Sequence, residues 1–150
     1  MKFAILALIS VVSAVQLKDD VDHSGEFFQP GEHEQLGKGG YDRVTPARFA
    51  GDSDDIFMRS MINQYALEGK NKDGSPSGQF WMTEAGARAA SSEVLATHKG
   101  MHGAELATYL DSYFAKAWGH FDVNRVGKVE VIKMPQFMRF LSSDQYMYLW

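Results

Sequence analysis

The sequence predicts an all-α domain, a pair of helix-loop-helix units joined by short β pairing between the loops, and three observations carry that prediction. Apolar residues recur at helical spacing in two stretches, Ile56, Phe57, Met61, Ile62 and Tyr65 in the first, and Leu106, Tyr109, Leu110, Tyr113, Phe114, Ala117, Trp118 and Phe121 in the second. A polar, glycine-centred loop follows each, residues 73–84 and 122–133. Beyond the loops, an Ala-rich run from Thr83 to about His98 and the run from Met134-Pro135 with Phe137, Phe140 and Leu141 supply the two remaining helices.

In chain order, the opening Met1-Lys-Phe-Ala-Ile-Leu-Ala-Leu-Ile-Ser-Val-Val-Ser-Ala14 has one basic residue, an apolar centre and small residues at its end. It predicts a secretory signal peptide, residues 1–14, and a secreted or secretory-lumen product. The alternative is an uncleaved membrane anchor, for which roughly 13 apolar-to-small residues fall short of a span of about 20. No later stretch is apolar enough to cross a bilayer. Residues 15–50 are polar and glycine-bearing, without periodic apolar residues, and predict a flexible leader before a domain at 51–150.

The entering helix starts at Asp52-Ser-Asp-Asp55, whose carboxylates suit the positive end of a helix dipole, and runs to about Leu67. Gly69, Lys70, Asn71 and Lys72 interrupt the apolar pattern before the first loop, so this helix ends early. Gly100 and Gly103 separate the second helix from the third, which ends at Phe121 against the second loop.

The two loops carry the chemistry. In Asp73-Gly-Ser-Pro-Ser-Gly-Gln-Phe-Trp-Met-Thr-Glu84, oxygen-bearing side chains alternate ahead of Gly78, an apolar Phe80 follows, and a Glu closes the loop. That arrangement resembles the calcium-binding loop of the EF-hand family, and the segment from Asp52 onward is similar to small exported EF-hand proteins of ciliated protists. The resemblance implies oxygen ligands from Asp73, Ser75 and Ser77, a backbone carbonyl from Gln79 and a bidentate carboxylate from Glu84. It also implies that Phe80 pairs with its counterpart Val129. With two carboxylates and two weak hydroxyls, one calcium site with a dissociation constant of about 10⁻⁵ to 10⁻³ M is expected, filled only where calcium is plentiful.

The sister loop, Asp122-Val-Asn-Arg-Val-Gly-Lys-Val-Glu-Val-Ile-Lys133, keeps Asp122, Asn124 and Gly127, with Lys128 at the carbonyl position. Val126 brings no oxygen, and Lys133 places an ammonium where the closing carboxylate belongs. This loop is expected to brace its neighbour without an ion. In the leader, Asp20, Asp22, Ser24, Gly25 and Phe27 follow the same spacing, but Pro30 and Gly31 deny it a closing ligand and an exiting helix, and it is read as coincidence.

The remaining chemistry is sparse. His98 and His102 are four apart, but Gly100 lies between them and no Glu accompanies them as in a zinc helix. The chain offers no Ser/His/Asp set, no cysteine and no phosphate loop, so it is read as a non-enzyme. A net charge of −4 speaks against nucleic acid as a partner. Met58, Met61, Met134, Met138 and Met147 fall at or near apolar faces, as core filler or as a sensor's groove. Tyr146, Tyr148, Leu149 and Trp150 close the chain, either folded back onto the domain or anchoring a protein partner. Two functions follow from the sequence: a calcium-binding or calcium-stabilised interaction module, or a calcium-independent scaffold docking through its aromatic tail.

Overall fold

The computed structural model describes residues 27–30, the backbone of 35–36 and 39–40, and residues 43–150. The expected signal peptide 1–14 lies outside them, as do Asp20, Asp22, Ser24 and Gly25. Among the described residues are four α-helices: α1 Asp54–Gln64, α2 Glu84–Lys99, α3 Gly103–Phe121 and α4 Met134–Leu141. Four strands, β1 Phe27–Phe28, β4 Leu67–Lys70, β5 Pro76–Thr83 and β6 Lys128–Glu130, form one antiparallel sheet in the order β1-β4-β5-β6. A two-stranded ribbon, β2 Gln35–Leu36 with β3 Gly39–Gly40, stands apart from it.

The expectation of an all-α, paired helix-loop-helix domain is therefore corrected: the fold is mixed α/β. The first helix stops at Gln64, three residues before the expected Leu67, and Leu67 begins a strand. The stretch expected to wrap an ion is for the most part the long strand β5. The cause lies in Asn71-Lys-Asp-Gly74. Asn71 and Gly74 close a tight turn, with Gly74 N–H donating to Asn71 O at 2.9 Å and Asn71 N–H to Ser75 O at 2.7 Å. Gly74 takes the positive φ of 83° that a three-residue hairpin asks of its last residue. An Asp-Gly pair ahead of alternating Phe80, Trp81, Met82 and Thr83 is a hairpin signal, and here it prevails over the loop reading. Part of the expected leader is also ordered, because Phe27 and Phe28 pair with Gly69 and Glu68 at the edge of β4.

The helices themselves follow from caps and apolar spacing. Thr83 caps α2, its hydroxyl accepting from Gly86 N–H at 3.1 Å. Gly100 ends that helix with φ of 66°, and Pro135 stands in the first turn of α4. At the other end of α1, Arg43 donates to the carbonyls of Ile62 and Ala66, both at 2.6 Å, and so satisfies acceptors that the helix terminus leaves open.

One core joins helices and sheet. Phe57, Met61 and Ile62 of α1, Leu95 of α2, Phe114 and Trp118 of α3, and Phe137 and Met138 of α4 meet the inward side chains Phe80, Met82 and Val129 of the sheet. Phe137 places its ring edge-on to those of Phe114, Trp118 and Phe121, with centroids 5.4 to 6.2 Å apart. Buried Ser91 is tolerated because its hydroxyl donates to Ala87 O at 2.6 Å. No described helix is long and apolar enough to cross a membrane.

Candidate functional site

The five residues expected to ligate calcium do not converge. Asp73 sits in the hairpin turn and Glu84 at the start of α2, with the eight residues of β5 between them. At about 3.3 Å per residue a strand of that length extends roughly 26 Å. Asp73 Oδ1 instead accepts from Ser75, at 3.0 Å from its N–H and 2.5 Å from its hydroxyl. These hydrogen bonds stabilise the ionised form and lower the Asp73 pKa from its ordinary value. Ser77 accepts from Gln79 N–H at 3.2 Å, and Gly78, with φ of 73°, lies where the β4–β5 register shifts. The residues at 73–84 thus serve a hairpin and a bulge, and do not fit a calcium shell in this arrangement.

Phe80 is not paired with Val129. Phe80 stands across from Glu68 on β4, and Val129 across from Met82. The seam between the two halves lies two residues beyond the expected register. A shift of two keeps Phe80 and Met82 on the same face of the strand, so the core side of the pattern is preserved while the ligand positions are not.

The second loop joins α3 to α4. It leaves α3 at Asp122, passes Gly127 at φ of 81°, enters β6 and reaches α4 through a 3-10 turn, Val131–Lys133. Asp122 organises it: its two carboxylate oxygens accept from Val126 N–H at 3.0 Å and Gly127 N–H at 2.9 Å, and the residue is buried. Asn124 and Lys133 are exposed, and Lys128 lies in β6 with its ammonium 4.3 Å from the Phe27 ring centre and 5.3 Å from that of Trp81. Among the described residues no three His, Asp or Glu side chains gather to hold a metal ion. His98 faces the Trp150 ring at 5.7 Å, and burial followed by the charge of Lys99 lowers its pKa. His102 begins α3, exposed.

The chain end is both folded back and presented. Met147 and Leu149 are buried, at 6% and 0% exposure, whereas Tyr146, Tyr148 and Trp150 are 91%, 76% and 66% exposed. Leu149, expected among the partner contacts, belongs to the core. The alternation is fixed from beneath: Arg139 Nε donates to Met147 O at 3.1 Å, and Lys99 pairs with Asp144. The hydrogen bond from the Lys99 ammonium, then that from Tyr146 N–H, lowers the Asp144 pKa. Sequence spacing placed the aromatics at the chain end but not their alternation, which requires the groove beneath them.

On the hairpin, Trp81 and Phe27 floor an open cleft of about 540 Å³ edged by Lys70, Lys72, Asn71 and Gln79. Local sequence did not signal it, because Phe27 comes from the far edge strand. No known protein family, curated protein or solved structure matches the chain.

Proposed function

We propose that this is a non-enzymatic structural protein that docks into a larger protein assembly through Tyr146, Tyr148 and Trp150, without needing calcium. The observation that carries this reading is three outward aromatic side chains on a backbone pinned by buried Met147 and Leu149. Aromatic anchors contribute strongly to interfaces, and anchors already held in place lose little further conformational freedom on binding. The calcium-dependent version of the module asks Asp73 and Glu84 to meet, and an intervening eight-residue strand opposes that.

The test is sedimentation of the full chain from its own cells after mild cross-linking, with a Tyr146→Ser/Tyr148→Ser/Trp150→Ser variant beside it. The parent is expected in a large assembly in calcium and in chelator alike, and the variant at monomer size with an unchanged Tm. A variant that stays in the assembly, or a parent that leaves it on chelation, overturns the proposal.

A further inference from the structure

We infer that the hairpin cleft is a binding site for an acidic saccharide, a sugar carrying carboxylate or sulfate groups. Trp81 and Phe27 line the cleft with Lys72 beside them, while Lys70 contributes to the lining but carries its ammonium 4.4 Å from the Phe28 ring centre. Lys128 places another ammonium over both the Phe27 and Trp81 rings. No carboxylate is among the described residues lining the cleft, although the whole chain carries a net charge of −4. Glu130, the cross-strand partner of Trp81, shares that face of the sheet and lies outside the lining.

Each part matches one feature of such a ligand. The apolar face of a pyranose ring is suited to an indole wall, the amide of Gln79 and the side-chain oxygen of Asn71 suit hydroxyls, and ammonium groups suit the acid. Asn71 is already oriented, its Nδ2 donating to Ser75 Oγ at 3.0 Å and to Pro76 O at 3.2 Å, which leaves the amide oxygen for a ligand hydroxyl. A single-stranded nucleic acid fits less well, because it asks for successive stacking faces and Phe27 is only 7% exposed.

The experiment uses the full chain carrying Trp150→Phe, so that emission reports on Trp81 and buried Trp118. It is titrated with a uronic acid trisaccharide, a sulfated disaccharide, a neutral trisaccharide, sodium sulfate and an eight-base oligothymidylate. A saturable change with either acidic sugar, weakened about fivefold by Lys72→Ala and abolished for the neutral sugar, is expected. Lys72 is exposed, so that variant tests binding without testing folding. No saturable change with either acidic sugar overturns the inference. So does an equal response to the neutral sugar or sulfate, or tighter binding of the oligothymidylate.

Discussion

Arg139 on α4 holds both carboxylate oxygens of Asp54 at the start of α1, at 3.0 and 2.7 Å, although 85 residues separate them. The same side chain supports the tail through Met147 O. One guanidinium therefore links the first helix, the last helix and the chain end, with the fork geometry that carboxylates match best. Arg139→Lys cannot make all three bonds. Because the pair is partly exposed, the loss in urea unfolding is expected to be modest, about 1 kcal/mol, accompanied by faster hydrogen exchange at Met147 and Leu149. Unchanged exchange there would show that the tail is held by its buried side chains alone.

Asp122 organises the second loop: its carboxylate gathers the backbone N–H groups of Val126 and Gly127. Asp122→Ala leaves the Val126 and Gly127 donors without that partner and is expected to cost about 2 kcal/mol, since bonds to a charged acceptor are worth roughly 1.5–3 kcal/mol. Gly127→Ala places a Cβ at φ of 81° and is expected to cost about 1 kcal/mol. Both are read by urea denaturation, and adding calcium should restore neither.

Thr83 joins β5 to α2 as a helix cap. Thr83→Ala is expected to lower stability by about 1 kcal/mol, and Thr83→Ser to recover most of it, because the hydroxyl is what Gly86 N–H needs. Equal losses for both substitutions in thermal denaturation would assign the effect to the lost methyl group instead.

How far the sequence reveals this fold depends on how local each cause is. The 19 residues of α3 repeat their apolar face turn after turn, so that helix could be read directly. The hairpin could not. Leu67-Glu-Gly-Lys70 has one apolar residue, and Glu68 is 1% exposed with Arg43 3.7 Å from its carboxylate. That partner is 25 residues upstream, in a stretch without apolar periodicity. Asp73-Gly74 was ambiguous in itself, since an Asp followed by spaced oxygens opens a calcium loop and an Asp-Gly pair closes a hairpin. The edge strand decided between them: Phe27 and Phe28 require β4 as a neighbour, and β4 requires the turn.

The pair Arg43 and Glu68 should accordingly be the most sensitive polar contact. Arg43 also donates to the carbonyls of Phe28 and Gln29, at 3.0 and 3.1 Å, so it fastens the edge strand to the rest of the sheet. Arg43→Met leaves a buried carboxylate without this cation and is expected to cost about 3 kcal/mol or more, whereas Arg43→Met with Glu68→Gln should recover a large part of it. A double variant no more stable than the single one would mean that the carbonyl bonds, not the charge, dominate.

Tyr65 gives the fold an alkaline limit. Its hydroxyl donates to Glu93, and burial, then the hydrogen bond and negative charge of Glu93, push its pKa from 10.0 up to about 12. The folded chain therefore holds this proton more tightly than the unfolded chain does. The contribution is fully present below pH 10 and is lost as the pH rises through about 12, where the folded state also ionises. Tyr65→Phe removes the titrating group. The difference in urea midpoint between parent and variant should be constant at neutral pH and narrow between pH 10 and about 12. A difference that stays constant across that window would show that the Tyr65 hydroxyl ionises alike in both states.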